Sequence, residues 1–497
     1  MRCDIDVRDG RLSYRGPLPG EDPAEVALTA TRSEFELARL APAAAPVYYR
    51  LGRGRLEMSD DLRAFRPAGP QPAPDHGVLL AMIHGLPDAP NATALPGVQE
   101  LTVGDRLRVD HNGVSVLRRP PRLTPGAPLQ RAISQVLAQQ HAGEIAIAYS
   151  GGLASTFLAV SARSAGRRPE LFHADLNAGA SPLPEIPGTG VHRVDCDLFE
   201  LLDLDQISGQ EISPPLPDTA LRRRMMARLH EASGTALASG ALLETLVATT
   251  LPEVAAARLG RRLLACEPFH RDGTIATLRD ARAMLAANGA GMRKPRVAGA
   301  EQAESESQEV GAPPPTPSEH AGLPGLTEAG REALKSARLA TGAVWRTHLD
   351  DLPTAIGRVE AARHEAGLPG PLHDVAVAAL DSRVLAAIAA LPARRLGRVR
   401  GGRFVNQAPL RDCLARAGVG PVREASSGFR VRLAAAAYVH RERRALAAAL
   451  ACDCALADLG LLDPRPLLRL LRDGQATADR ALMLLRLIWL DHWLRRR

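Results

Sequence analysis

The residues best suited to chemistry are Ser150, Gly151 and Gly152, followed closely by the hydroxyl residues Ser155 and Thr156. This group comes directly after the apolar segment EIAIAY and opens a helical pattern. Glycine allows a left-handed backbone and the close approach of a ligand, and the N–H groups at a helix start attract anions. We therefore predict a phosphate-binding site, although a tight turn in any α/β domain has the same pattern. The sequence has no GxxxxGK segment, which excludes a P-loop NTPase.

Lysine is absent after Lys335. Positive charge in the last part of the chain therefore comes from arginine, which stays protonated and so could stabilise negative charge but could not transfer protons.

Two kinds of pattern divide the chain near residue 122. Residues 1–122 contain short alternating apolar segments, and the HNG turn between RLRV and VSVL predicts a hairpin. After the proline-rich segment PPRLTPGAP, apolar strands alternate with helical patterns, which is typical of a parallel sheet covered by helices. We therefore predict an α/β protein with a β-rich domain at 1–122 and a parallel-sheet domain at 123–497, mostly helical in its second half.

Composition limits the class of protein and of partner. Residues 288–326 are rich in glycine, alanine, proline, serine and glutamate, so we predict a disordered insertion there. The net charge of +7 comes almost entirely from arginine and aromatic residues are 3%, so we expect no nucleic-acid partner. No apolar run is long enough to span a membrane, and the first residues lack the apolar stretch of a signal peptide. We expect a cytoplasmic protein without a membrane partner.

Several segments together resemble the asparagine synthetase superfamily, in the branch that includes asparagine synthetase B, the β-lactam synthetases and the macrolactam cyclases of lasso peptides. SGGLAS is similar to the pyrophosphate loop SGGxDS, and ASGALLETL resembles SGDGADELF. ALDSRVLAAIAALP and QAPLRDCLARAGVGPVREASSGFR are similar to two later family segments, in the same order. The resemblance implies an N-terminal glutaminase-like domain of the Ntn type. It implies a C-terminal ATP-pyrophosphatase domain, which is adenine nucleotide α-hydrolase-like.

The resemblance also implies roles for particular residues. Family members activate a carboxylate with ATP and Mg²⁺, release pyrophosphate and form an amide. By alignment, Ser150, Gly151, Gly152, Ser155 and Thr156 bind the phosphates, and Glu244 is both a metal ligand and a catalytic residue. Arg411, Arg423 and Arg430 then supply positive charge in catalysis.

Other aligned positions depart from the family pattern. Ala154 and Thr245 stand where the family has carboxylates, and Gln407 and Ser427 stand where it has lysines, with Ser426 an alternative for the second lysine. Arg2 occupies the place of the glutaminase cysteine, so we expect no glutamine hydrolysis.

Two functions remain open on the sequence alone. The first is an ATP-dependent, AMP- and pyrophosphate-forming amide ligase of specialised or ribosomal-peptide metabolism, which closes an isopeptide or macrolactam bond. Its partner would be a carboxylate-bearing small molecule or a precursor peptide. The second is a catalytically inactive homologue that binds a peptide or assists an active ligase, and its partner would be a second biosynthetic protein. A regulatory α/β protein outside the family is a further alternative.

Overall fold

The structure is a computed structural model. It describes residues 2–8, 11–15, 26–31, 34–40, 46–52, 55–65, 76–84, 93, 95, 97–110, 113–118, 123, 126–140, 144–176, 183–203, 216–248, 324–337, 375–400, 403–420, 422, 427–474 and 477–496. Most of the predicted insertion at 288–326 therefore lies outside the described residues, and only its last three residues are placed.

The first part of the chain folds into two antiparallel sheets. Its strands are β1 (Arg2–Arg8), β2 (Arg11–Arg15), β3 (Val26–Ala30), β4 (Phe35–Arg39), β5 (Tyr48–Gly52), β6 (Arg55–Ser59), β7 (Val98–Glu100), β8 (Asp105–Asp110) and β9 (Gly113–Arg118). One sheet has the order β2-β1-β6-β5-β7 and the other β3-β4-β8-β9. The predicted hairpin is confirmed, because β8 and β9 pair antiparallel with Asp110 opposite Gly113.

These two sheets share one apolar core, so they form a two-layer β structure. Leu37 and Leu107 from one sheet and Leu56 from the other are completely buried in it. Along β8 buried residues alternate with half-buried ones, as expected when one face of a strand packs on a core.

A five-stranded parallel sheet lies in the second part of the chain. Its strands are β10 (Ile145–Ala148), β11 (Pro169–Asp175), β12 (Val191–Asp195), β13 (Leu237–Ser239) and β14 (Val375–Val377). Their order is β12-β11-β10-β13-β14, and every neighbouring pair is parallel. The strand order therefore reverses between β10 and β13. In sheets of this kind a ligand crevice forms at the carboxyl ends of the strands, at the reversal.

Helices cover both faces of the parallel sheet. Helix α1, His76–Ile83, precedes the sheet in the chain, and α2 to α6 are Leu129–Gln140, Leu153–Ser164, Leu198–Leu201, Pro217–Ser233 and Leu243–Leu246. Ile145 and Ile147 of β10 pack with α2 and α3, whereas Ala146 packs on the other face with α5. Because neighbouring strand residues point to opposite faces, this split follows directly from the apolar run in β10.

The remainder of the chain is mostly helical in the described ranges. Helix α7 spans 328–337, and α8 to α14 are Ser382–Ala389, Ala393–Leu396, Ala408–Arg416, Ser427–Cys452, Ala455–Asp458, Arg465–Asp473 and Ala478–Arg496. A two-stranded antiparallel ribbon, β15 (Arg398–Arg400) and β16 (Arg403–Val405), precedes α10.

Helices α11, α13 and α14 bury the second large core, around Trp489 and Trp493. Arg486 of α14 forms an ion pair of 2.7 Å with Asp218 of α5, which joins this helical part to the sheet. Among the helices that the structure describes, none has both the length and the apolar character needed to cross a membrane.

Candidate functional site

The predicted phosphate-binding site is a tight turn at the carboxyl end of β10. Gly151 has φ 72°, in the left-handed region where a side chain is strained, so a glycine is required there. The Ser150 hydroxyl accepts a hydrogen bond from the Gly152 N–H group at 3.2 Å. Gly152 is the N-cap of α3, and the sequence prediction of a strand, an SGG turn and a helix is confirmed.

The two predicted hydroxyl residues hold this turn in shape. Ser155 and Thr156 are 5% and 0% exposed, and their hydroxyls donate to the Gly152 carbonyl at 3.2 and 2.8 Å. The Ser155 hydroxyl also accepts from the Ser150 N–H group at 3.2 Å and lies 3.1 Å from the Ser150 hydroxyl. In this arrangement both hydroxyls are engaged with the turn itself.

Glu244 reaches directly into the start of α3. Its Oε1 atom accepts a hydrogen bond of 3.0 Å from the Ala154 N–H group, in the first turn of the helix. That carboxylate lies at the positive end of the α3 dipole, where an anion is stabilised. The structure therefore brings together two segments that are ninety residues apart in the sequence. The Glu244 carboxylate itself is the anion bound at the predicted phosphate-binding site.

The close contact between these two segments depends on Gly240, which follows β13. A Cβ atom at Gly240 would lie 2.9 Å from the backbone carbonyl carbon of Ala154 and 3.0 Å from the Ser155 nitrogen. Any side chain there would push α3 away from β13. At Gly152, a Cβ atom would lie 3.6 Å from Glu244 Oε1. Gly240 thus allows the close approach of the segment that carries Glu244, whereas a Cβ atom at Gly152 would be in ordinary contact with the carboxylate.

Leu242 has a backbone conformation that is unusual for its residue type. Its φ of 67° lies in the left-handed region, where a side chain costs about 1–2 kcal/mol. Leu242 precedes the short helix α6 as its N-cap, and the following turn presents Glu244. The backbone conformation at Leu242 thus contributes to the position of the carboxylate.

A third segment joins the site through Gln407, which the sequence analysis did not select as a site residue. Its Nε2 atom donates to the Glu244 carbonyl at 3.1 Å, and its φ of 55° makes it the second left-handed non-glycine residue in the described ranges. Arg411 lies one turn further along α10, where its Nε atom donates to the Asn406 carbonyl at 3.2 Å. The sequence signals for Gln407 were its alignment with a lysine of the resembling segment and its position just before a helix with proline in its first turn.

The other two predicted arginines cannot be assigned to the site. Arg423 lies outside the described residues, and of Arg430 only the backbone in the first part of α11 is described. Across the described ranges, no group of three or more His, Cys, Asp or Glu side chains could hold a metal ion by itself. Mg²⁺ in nucleotide sites is commonly held by one or two carboxylates together with substrate phosphates. Glu244 fits such a site only through an oxygen atom that is free of the Ala154 contact.

Residues 183–190, which precede β12, contact the end of β10. The Tyr149 hydroxyl donates to the Pro184 carbonyl at 2.8 Å, and Ile186 is buried in the same core as α3. His173 is buried, with its Nδ1 atom 2.7 Å from the Tyr149 carbonyl. Residues 183–190 contain no helix, in keeping with their proline-rich sequence.

Comparison of the sequence with protein-family models finds no matching family, and comparison with curated protein sequences finds no match. The family resemblance therefore stays a prediction from the short motifs.

Proposed function

We propose that this chain is related to the asparagine synthetases and forms amide bonds with ATP, producing AMP and pyrophosphate, without glutamine hydrolysis. The product would be an isopeptide or macrolactam bond in specialised or ribosomal-peptide metabolism. One observation carries the proposal: three segments that resemble family motifs meet within hydrogen-bond distance. Glu244 contacts the Ala154 N–H group at 3.0 Å and Gln407 at 3.1 Å, at the reversal of the strand order.

The architecture supports the same proposal in a finer form. Under it, the two antiparallel sheets correspond to a glutaminase-like domain of the Ntn type at 1–122. The parallel sheet and its helices, at 123–497, correspond to an ATP-pyrophosphatase domain. A fold alone does not define an activity, so the proposal depends on the site.

The conformation of Leu242 is an independent argument for the family. When ASGALLETL is aligned with SGDGADELF, the second glycine of the motif falls on Leu242. A glycine is favoured where φ is positive, and Leu242 has φ 67°. A chain that descended from the motif would keep this turn after losing the glycine, at the energetic cost of a left-handed leucine.

In the proposed reaction, the residues of the turn bind and orient the nucleotide. The turn at Gly151 and Gly152 would bind the phosphates, and its Gly152 N–H group, which donates to the Ser150 hydroxyl at 3.2 Å, would have to exchange that partner for a phosphate oxygen. Glu244 would hold Mg²⁺, which supplies charge neutralisation for the departing pyrophosphate. Of the three predicted cations, Arg411 is the one whose side chain the structure describes, and Arg423 and Arg430 remain predictions.

A non-catalytic homologue is the second candidate. It is favoured by the hydrogen bond between the Glu244 carboxylate and the Ala154 N–H group. The carboxylate already accepts the hydrogen bond from an N–H group that would otherwise bind a phosphate oxygen. Ala154 and Thr245 add no carboxylate, and Ser427 supplies no positive charge. Loss of one group that stabilises a charged transition state commonly costs on the order of a hundredfold in rate. Under this alternative, the chain binds a peptide or assists an active ligase.

Calorimetric titration with ATP, with and without Mg²⁺, distinguishes the two candidates. The unmodified chain is compared with Ala154→Asp, which restores the carboxylate of the family motif, and with Ala154→Asn, which has a similar shape without the charge. Circular dichroism checks that both variants fold. Micromolar, Mg²⁺-dependent binding by the unmodified chain is expected for a ligase. Binding by Ala154→Asp alone would support the non-catalytic homologue, and no binding by any of the three would refute the nucleotide site.

A further inference from the structure

An arginine-lined groove lies between α11 and α13, formed by residues that the proposed function does not use. Its volume is about 400 Å³. The lining residues are Arg443, Arg444, Ala447, Ala448, Ala451, Leu471 and Arg472.

The spacing of these residues explains the shape of the groove. Arg443, Ala447 and Ala451 are four residues apart on α11, so they lie along one face of the helix. The distance from Arg443 to Ala451 is about 12 Å along the helix axis, from the rise of one α-helical residue. Small side chains leave an open floor there, and the buried Leu471 of α13 forms an apolar wall.

The arginines of the groove have no charge partner among the described residues. Arg443, Arg444 and Arg472 form no hydrogen bond or ion pair with any residue in the described part of the chain. The neighbouring Arg441, by contrast, pairs with Glu442 at 3.1 Å. Asp473 follows Arg472 in the sequence and is the nearest acid on α13. Three guanidinium groups that pair with no described residue and surround one groove attract anions, and the planar guanidinium matches a carboxylate well.

We propose that this groove binds an acidic peptide segment that carries small apolar residues between its carboxylates. Arg444 and Arg472 are exposed and Arg443 is half-buried, so the groove does not enclose a compact ion. An extended chain fits better, because its carboxylates could meet the arginines while its apolar side chains lie on the alanine floor. The proposal is independent of the nucleotide site, since it uses no residue of the turn at Ser150.

The test uses the full chain and a fluorescein-labelled peptide of three Glu-Leu-Ala-Glu repeats, followed by fluorescence anisotropy. The matched control peptide has glutamine in place of every glutamate. The variant Arg443→Gln/Arg444→Gln/Arg472→Gln removes the three cations of the groove. A matched variant, Arg131→Gln/Arg168→Gln/Arg395→Gln, removes three exposed arginines elsewhere and lowers the net charge equally. Thermal unfolding by circular dichroism checks that both variants fold.

The groove variant should bind the acidic peptide about tenfold more weakly, since three exposed ion pairs each contribute a few-fold. The control variant should bind the acidic peptide as tightly as the unmodified chain does. The glutamine peptide should bind neither the control variant nor the unmodified chain. Equal weakening in both variants would show a general charge effect and overturn the proposal. Tighter binding of a single-stranded oligonucleotide or of phosphatidylserine vesicles, lost in the same groove variant, would overturn it in favour of a nucleic acid or a membrane. An ATP titration on the groove variant reports separately on the nucleotide site.

Discussion

Replacing Glu244 by alanine removes the carboxylate that accepts a hydrogen bond from the Ala154 N–H group at the start of α3. Loss of a side-chain cap at a helix start costs about 1 kcal/mol. Loss of a negative charge at the positive end of the helix dipole adds about 0.5 kcal/mol. We therefore expect the first turn of α3 to lose about 1.5 kcal/mol of local stability, from these two contributions. Glu244→Gln keeps an acceptor atom and should lose only the smaller part.

Hydrogen exchange measured by mass spectrometry reports this local stability directly. A change of about 1.4 kcal/mol in the free energy of local opening corresponds to tenfold faster exchange. Peptides that cover the turn and the start of α3 should therefore exchange about tenfold faster in Glu244→Ala and about twofold faster in Glu244→Gln. Glu144→Ala, at an exposed glutamate just before β10, is the matched control and should leave these peptides unchanged.

Unchanged exchange in Glu244→Ala would refute the argument that this carboxylate caps α3. The Gln407 contact is made to the Glu244 backbone carbonyl, so it persists in every variant and does not contribute to the expected change. A loss of protection spread over the whole sheet would also contradict the reasoning, because it would indicate global rather than local destabilisation.

Three further predictions concern the fold and its titratable groups. Gly240→Ala should lower the free energy of urea unfolding by about 1–3 kcal/mol, because its methyl group would overlap the α3 backbone, whereas Gly190→Ala, with nothing within 4 Å, should not. Burial raises the pKa of Tyr49 from 10.0 to about 12, so its stabilising effect is complete below pH 10 and is lost as the pH rises through 12. Tyr49→Phe should therefore show a smaller loss of unfolding free energy over that interval. Burial raises the pKa of the Cys454 thiol to about 11, so at pH 8 iodoacetamide should alkylate the exposed Cys452 and spare Cys454, as measured by mass spectrometry of the native protein.

Much of the secondary structure could be predicted from local sequence patterns. The apolar run EIAIAY predicted a buried strand, and β10 spans Ile145–Ala148 with α3 starting at Leu153. The HNG turn predicted the β8–β9 hairpin for a similar reason, since turn residues and flanking alternation are local signals. The two-domain division at residue 122 stays a prediction, as does the disordered insertion at 288–326.

The arrangement of the site needed the tertiary structure. Read alone, the sequence predicted Ser150, Gly151 and Gly152 as a phosphate site from their types and spacing, and Glu244 as a metal ligand only through the resemblance of ASGALLETL to SGDGADELF. It did not indicate that Glu244 caps α3, because this contact joins residues ninety positions apart. The strand order and the close packing at Gly240 make that contact possible, and both depend on the crossovers between strands rather than on any local pattern.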